Sequence, residues 1–286
     1  MILITDAGGK TGRAIVKALA SFASVCAFVH RKEQEFVLRS FGAEKVILGD
    51  MQDEDAIRLA LVDVTAIYHI CPNMNPHELE IGNLLIGAAV KAGVGNFVYH
   101  SVLHPQTEKM VHHWQKMRVE EMLFESRLPF TILQPAPYMQ NLLSGWKRVV
   151  EEGILQVPYS VHSPFSFVDL EDVAEVAKTV LTDMNYQNAI FELVGTPALS
   201  HVDVAEAMGR VLNRQVRAEA EEIDRWRHGA QQSAELGEYA VENLVRMFEY
   251  YNRWGLVGSP NALRWILGRE PTSLETFIER IKSGGS

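Results

Sequence analysis

Short apolar runs alternate with longer amphipathic stretches through the first half of the chain. Each run has four to six residues, is rich in β-branched and aromatic types, and shows no polar alternation. Uninterrupted runs of this length are typical of strands buried on both faces of a sheet. The predicted strands are Ile2–Thr5, Val25–His30, Lys45–Leu48, Ala66–Ile70, Phe97–Ser101 and Thr131–Gln134.

The stretches between these runs have helical periodicity. The clearest one places Ile81, Leu84, Leu85, Ala88 and Ala89 on a single apolar stripe that ends at Gly93. Apolar residues at this spacing indicate an amphipathic helix, and a glycine just beyond it is a common helix stop. Strands that alternate with helices require crossover connections, so we predict an α/β fold with a doubly wound parallel sheet.

The pattern changes after about residue 150. We predict a short strand at Phe165–Val168, a helix from Leu170 and one more strand at Ala189–Val194, followed by mainly helical sequence. Ser200-x-x-Asp203 and Thr272-x-x-Glu275 both have the form of a capping box at a helix start. We therefore expect a main domain over 1–150, completed by a strand near 189–195, and a smaller, mostly helical lobe over 151–286.

Composition and charge exclude several classes of protein. Hydrophobic residues make up 47% and charged residues 22% of the chain, which excludes a disordered or collagenous protein. The formal charge is 27 − 36 = −9, which argues against a broad nucleic-acid-binding surface. No apolar run reaches the length of a membrane span, and the amino terminus lacks the basic flank of a signal peptide. Two cysteines, Cys26 and Cys71, are too few for a disulfide framework, which indicates a reduced, cytoplasmic protein. Together with the charge and the short apolar runs, this predicts a protein that binds neither nucleic acid nor membrane.

The first predicted strand leads into a glycine-rich turn, Thr5-Asp-Ala-Gly-Gly-Lys-Thr-Gly-Arg13, and then into a helical segment. Glycines at a strand-to-helix turn let backbone N–H groups approach a pyrophosphate, which the helix amino terminus stabilises. The strand before the turn and the helix after it supply the structural context that this motif needs. The alternative is a glycine-rich turn that binds no ligand.

This turn resembles the T-G-x-x-G-x-x-G loop of the NmrA-like group of atypical short-chain dehydrogenases. The resemblance extends over nearly the whole chain, through Gly49-Asp50, Tyr99-His-Ser101, Gln134-Pro-Ala-Pro-Tyr-Met-Gln-Asn141, Met247-Phe248 and Asn261-Ala-Leu263. It implies a Rossmann domain that holds NADP(H) and a small carboxy-terminal lobe over a substrate cleft.

The second predicted strand ends in Val29-His30-Arg31-Lys32 and carries no carboxylate there. An acidic residue at this place would hold the ribose 2′-hydroxyl of NAD, whereas a guanidinium suits the 2′-phosphate of NADP. The resemblance gives this role to Arg31, and the alternative is a solvated basic turn. It also implies that further residues contact the cofactor: Gly9, Lys10, Thr11, Gly12, Arg13, Asp50, Met51, Lys116, Tyr138 and Asn141.

The chain departs from the family pattern at the first glycine of the loop, where Asp6 stands. A carboxylate would repel the pyrophosphate, and a Cβ would narrow the backbone approach. Either cofactor binding is weakened or lost, or Asp6 turns away and only Gly9 and Gly12 matter.

Three residues match the catalytic positions of short-chain dehydrogenases. Ser101 matches the serine and Lys116 the lysine, while His112 stands where the tyrosine usually does. The spacing of His112 and Lys116 puts both side chains on one helix face. Imidazole can deliver a proton near neutral pH, but a nearby ammonium lowers its pKa. The alternative for His112 is a structural or binding role.

Four histidines, His100, His104, His112 and His113, cluster along the sequence, but their spacing fits no standard zinc site, so no metal is predicted.

The predicted function is an NADPH-dependent oxidoreductase that transfers hydride to a small carbonyl, quinone or conjugated substrate. The alternatives are an NADP(H)-sensing regulator that acts through a protein partner, and a pseudoenzyme without cofactor. The sequence leaves open whether the protein forms a homodimer.

Overall fold

A computed structural model describes residues 1–233 and 236–284 of the chain. Its strands are β1 (Ile2–Ile4), β2 (Val25–Val29), β3 (Lys45–Leu48), β4 (Ala66–His69), β5 (Asn96–His100), β6 (Phe130–Pro135), β7 (Ile154–Val157), β8 (Ala189–Leu193) and β9 (Arg217–Ala220). Its α-helices are α1 (Lys10–Leu19), α2 (Glu35–Ser40), α3 (Glu54–Ala60), α4 (Glu78–Ala92), α5 (Val111–Ser126), α6 (Trp146–Glu152), α7 (Leu170–Thr182), α8 (His201–Leu212), α9 (Ile223–Ser233), α10 (Glu238–Trp254), α11 (Asn261–Leu267) and α12 (Leu274–Lys282).

Seven strands form the main sheet in the order β3-β2-β1-β4-β5-β6-β8. The pairs from β3 to β6 run parallel; Leu3, for example, pairs with Cys26 on one side and Ile67 on the other. The first six strands follow the order of a dinucleotide-binding Rossmann sheet, so the predicted fold class is confirmed. All seven strands predicted for this sheet are present, and each boundary lies within one residue of the prediction.

The sheet is buried because its central strands are apolar on both faces. One core cluster brings Leu3, Ile67 and Phe97 together with Leu85 of α4 and Val119 of α5. Helix α4 ends at Gly93, whose φ of 68° is the left-handed conformation that favours glycine. The helix stop predicted there is confirmed.

Two compact units divide the chain. The first contains Met1–Gln106, His112–Gln134 and Val173–Phe191, and the second contains Thr107–Val111, Pro135–Asp172 and the chain from Glu192 onward. The second unit includes a two-stranded parallel sheet formed by β7 and β9, which the sequence did not predict. Its polar strand β9, with the sequence Arg-Ala-Glu-Ala, has no apolar run that would indicate a strand. The division into domains at residue 150 stays a prediction.

Two local predictions for the second unit are wrong. Residues 165–168 form isolated bridges, not a strand, because successive backbone groups bond to different segments: the Phe165 N–H donates to Leu199 O, and the Ser166 N–H to Leu256 O. Ser273, not Thr272, caps α12, since the Thr272 hydroxyl instead donates to Asp172. The capping box at Ser200 and Asp203 is confirmed.

Membrane-spanning helices are absent from residues 1–233 and 236–284, where every helix is too short or too polar to cross a bilayer.

Candidate functional site

The phosphate loop, residues 6–13, joins β1 to α1 and is packed closely against itself. A Cβ at Gly12 would stand 2.4 Å from the carbonyl oxygen of Asp6, and a Cβ at Gly9 would stand 2.8 Å from its Oδ2. Gly9 is the amino-terminal cap of α1, and its N–H donates to the Asp6 carbonyl over 3.0 Å. Glycine at 12 is therefore required by the backbone of the loop, whereas the closest atom to a Cβ at Gly9 belongs to the Asp6 side chain.

Asp6 occupies the position of the missing first glycine. Its φ of 43° is left-handed, a conformation that aspartate tolerates better than most residues. Since Oδ2 lies 2.8 Å from the place of a Cβ at Gly9, the carboxylate faces this glycine. Burial raises the pKa of the Asp6 carboxyl to about 6, and the nearby His30 and Arg31 oppose this shift. Protonation near neutrality would remove a charge from this loop.

The turn after β2 lies beside the phosphate loop, because β1 and β2 are paired. Arg31 is exposed there, and the described part of the chain offers it no hydrogen bond or ion pair. The Nε atom of Arg13, on the first turn of α1, is buried and also has no partner among the described residues. A pyrophosphate and a 2′-phosphate need such donors, so the residues present fit a phosphorylated dinucleotide, although the Asp6 carboxylate opposes an anion there.

The remaining predicted cofactor residues lie in several places. Lys10 is exposed and Thr11 half-buried on the first turn of α1. Asp50 is exposed after β3, where its side chain accepts from the Gln52 N–H, whereas Met51 belongs to the buried core. Tyr138 and Asn141 belong to the second unit; Tyr138 caps a short 3-10 helix (Met139–Gly145), and the Asn141 N–H donates to the Tyr138 carbonyl.

Ser101 follows β5, and its hydroxyl donates to the buried carboxylate of Glu120 on α5. Gln134, at the end of β6, donates through Nε2 to both oxygens of Glu120, over 2.9 and 3.1 Å. Burial raises the pKa of Glu120, while these hydrogen bonds and Lys116 oppose the rise. The single proton of the Ser101 hydroxyl is directed at Glu120 as long as that carboxyl is ionised.

Lys116 lies one helical turn before Glu120 and is buried with it. Its Nζ is 3.1 Å from Oε1 of Glu78, and the Tyr99 hydroxyl donates to the same oxygen over 2.8 Å. The Lys116 ammonium also donates to the His100 carbonyl over 3.4 Å. We refer to the two hydrogen-bonded groups around α5 as the α5 network; it comprises Ser101, Glu120, Gln134, Glu78, Lys116 and Tyr99.

His112 begins the buried face of α5, two turns before Glu120. Burial lowers its pKa to about 2, with smaller contributions from His113 and Lys116, so the imidazole is neutral across the physiological range. Its Nδ1 is buried, and no described residue bonds to it. His69, His100 and His113 are likewise neutral, with pKa values lowered mainly by burial to about 4, 3 and 4. Within the described ranges, no group of histidine, cysteine or acidic side chains could hold a metal ion.

Three acidic or amide residues of this site were missed by the sequence analysis: Glu78, Glu120 and Gln134. The spacing of Glu120, four residues after Lys116, was a usable signal that both share one helix face. Glu78 carried no such signal, because it reaches Lys116 from a different helix.

Comparisons with known proteins agree with this fold. The model of the NmrA-like family matches residues 1–280. An NAD(P)H azoreductase of Xenophilus azovorans is 28% identical over 220 residues, which cover 76% of each chain. The structure of an NADPH-dependent quinone oxidoreductase from Escherichia coli, complexed with NADPH, matches with a TM-score of 0.85 and 22% identity, covering 99% of this chain and 100% of that one. The negative transcriptional regulator NmrA, complexed with NADP, matches with a TM-score of 0.80 and 16% identity, covering 100% of this chain and 98% of that one.

Proposed function

Because the chain belongs to the NmrA-like family, we propose that it binds NADP(H) and reduces a small carbonyl, quinone or conjugated substrate. The observation that carries this proposal is that Arg31, which follows β2 beside the phosphate loop, forms no hydrogen bond or ion pair with a described residue, and that no carboxylate stands at the end of that strand. That combination favours a 2′-phosphorylated dinucleotide over NAD(H).

In this proposal the first unit holds the cofactor. Gly9 leaves room for the pyrophosphate to approach, backbone N–H groups of Lys10, Thr11 and Gly12 bind it, and Arg13 supplies a further donor. Arg31 binds the 2′-phosphate, and Asp50 and Met51 lie toward the adenine. Bound NADPH would supply the hydride that such a reduction needs.

The reacting end of the substrate is assigned to His112, Lys116 and Ser101. Because burial keeps His112 neutral, it acts as a hydrogen-bond donor to the substrate oxygen and not as an imidazolium acid. Lys116, oriented by Glu78, binds the nicotinamide ribose, and Ser101 orients the substrate. The azoreductase and quinone oxidoreductase among the relatives support a conjugated or quinone-like acceptor.

The α5 network favours a second candidate, a non-catalytic NADP(H) sensor that acts on a protein partner. The Ser101 hydroxyl donates its single proton to the carboxylate of Glu120, so it is not a free donor for a substrate. The likeness to NmrA supports the same candidate.

The remaining parts of the proposal concern organisation and place. We assign cofactor binding to a domain over 1–150 and substrate selection to a lobe over 151–286. An acidic chain with a net charge of −9 suits a cytoplasmic protein that does not bind nucleic acid.

Calorimetric titration with NADPH and NADH tests cofactor binding. We expect NADPH to bind about tenfold to a hundredfold more tightly, since a charge-assisted contact to the 2′-phosphate contributes about 1.5–3 kcal/mol. Arg31→Ala should remove most of this preference and leave NADH binding unchanged. Arg39→Ala is the matched control, because Arg39 is exposed and pairs with Glu35. Equal affinities in the unmodified protein would contradict the proposal.

Loss of NADPH absorbance with quinones, azo dyes, aldehydes and ketones then tests turnover. Oxidation of NADPH with any acceptor class supports the reductase. Tight NADPH binding without oxidation across the whole panel supports the sensor instead.

A further inference from the structure

The side-chain amide of Gln34 lies flat against Gly8 in the phosphate loop. A Cβ at Gly8 would stand 2.2 Å from both Cδ and Nε2 of Gln34 and 2.5 Å from its Oε1. The φ of Gly8 is not in the left-handed region, so its backbone conformation does not require glycine. The Gln34 amide therefore occupies the space that a side chain at residue 8 would fill.

Gln34 and Arg31 belong to the same tight turn. Gln34 ends the 3-10 turn Lys32–Gln34, which follows β2, and its backbone N–H donates to the Arg31 carbonyl over 3.2 Å. The turn thus presents an amide and a guanidinium together, next to the glycines that follow β1.

The Gln34 amide has hydrogen-bonding capacity that the described part of the protein does not use. The side chain is half-buried, and no described residue forms a hydrogen bond with its Nε2 or Oε1. An amide offers two N–H donors, which suit phosphate oxygens, whereas a carboxylate in the same place would repel them.

We propose that Gln34 is a specificity-determining residue for the cofactor: its amide donates to the 2′-phosphate of NADP(H) beside Arg31, and Gly8 provides the space that this requires. This inference rests on the proposed binding of NADP(H). It adds a neutral donor beside the positive charge of Arg31.

Calorimetry with 2′,5′-ADP and 5′-AMP tests the inference without any turnover, because the two probes differ only in the 2′-phosphate. Gln34→Met keeps the bulk over Gly8 but removes the donors. We expect it to weaken 2′,5′-ADP binding about fivefold to tenfold and to leave 5′-AMP unchanged. Gln34→Glu should weaken 2′,5′-ADP binding by more than tenfold, since it adds a negative charge. Gln231→Glu, on an exposed face of α9, controls for the change in net charge.

A double-mutant cycle tests the part assigned to Gly8. Gly8→Ala should displace the Gln34 amide and weaken 2′,5′-ADP binding as Gln34→Met does, and adding it to Gln34→Met should have little further effect. If the ratio of the 2′,5′-ADP affinity to the 5′-AMP affinity in Gln34→Met stays within twofold of the ratio in the unmodified protein, the inference is overturned. If the unmodified protein binds neither 2′,5′-ADP nor NADPH, the proposed function falls with it. If Arg31→Ala alone lowers the ratio, only the role of Gln34 is lost.

Discussion

The phosphate loop with its neighbouring turn and the α5 network differ in where their polar groups find partners. Around the loop, Arg31, the Gln34 amide and the buried Nε of Arg13 form no hydrogen bond with any described residue. In the α5 network the Ser101 hydroxyl and the Lys116 ammonium are both bonded to buried carboxylates. Unused donors suit a site that receives an anion, whereas satisfied buried groups suit a framework.

This difference implies that affinity and turnover respond to different residues. Substitutions of Arg31 and Gln34 beside the loop should change cofactor affinity and leave stability nearly unchanged. Substitution of Lys116 or Glu78 in the α5 network should change stability first, because it leaves the other buried charge without its partner.

The largest effect is expected from Lys116→Met. It leaves the Glu78 carboxylate buried with the Tyr99 hydroxyl as its remaining strong donor, which should lower the free energy of unfolding by about 3–5 kcal/mol. The double variant Lys116→Met with Glu78→Leu should recover most of this loss, since it removes both charges. Urea denaturation measures the free energy of unfolding of both variants. A loss under about 1 kcal/mol would show that the pair is a weak contact.

His112→Ala tests whether turnover depends on a residue that does not affect cofactor affinity. We expect kcat to fall about tenfold to a hundredfold with NADPH affinity nearly unchanged, because a positioned donor acts on the substrate and not on the cofactor. With a pKa of about 2, His112 should give no limb to the pH–rate profile between pH 5 and 8. His112→Tyr should retain or raise activity. An unchanged kcat in His112→Ala would favour the sensor.

Asp6→Gly should tighten NADPH binding about threefold to tenfold, as it removes a negative charge and a Cβ from the loop. The gain should shrink in added salt if charge dominates and persist if the Cβ dominates. Weaker binding in this variant would mean that Asp6 supports the left-handed turn in a way that glycine does not.

The smallest expected effect is a pH dependence of binding. The folded-state pKa of Asp6 is raised, so the carboxyl gains its proton as pH falls through about 6 and stops opposing an anion. NADH, which lacks a 2′-phosphate that titrates in this range, should bind about twofold to threefold more tightly at pH 5.5 than at pH 7.5. Asp6→Asn should flatten most of this dependence, and His30→Gln controls for the neighbouring imidazole.

The sequence predicted the main sheet well because its strands are short apolar runs, and exposing such runs to water at the surface is unfavourable. The pairing of β7 with β9 was not predictable in this way, since β9 is polar and has only one partner strand. Phe165–Val168 has the composition of a strand, yet its backbone groups bond to three separate segments. Hydrogen-bond partners at such distances along the chain leave no local pattern.

In the candidate site, too, some features could be predicted from the sequence and others could not. The phosphate loop could be predicted because glycine spacing is local, and Arg31 because it directly follows a strand. The ion pair of Glu78 with Lys116 joins two helices, and the contact of Gln34 with Gly8 joins two turns, so neither leaves a spacing in the sequence.

The edge strand β8 has a consequence for synthesis of the chain. Its neighbour β6 ends at Pro135, and residues 136–188 must be made before β8 can pair with it, which takes on the order of several seconds on a ribosome. During that time the unpaired backbone of β6 is open to other chains, as any exposed strand edge is. Nascent chains that end at residue 188 should therefore be more sensitive to protease and aggregation than chains that end beyond β8.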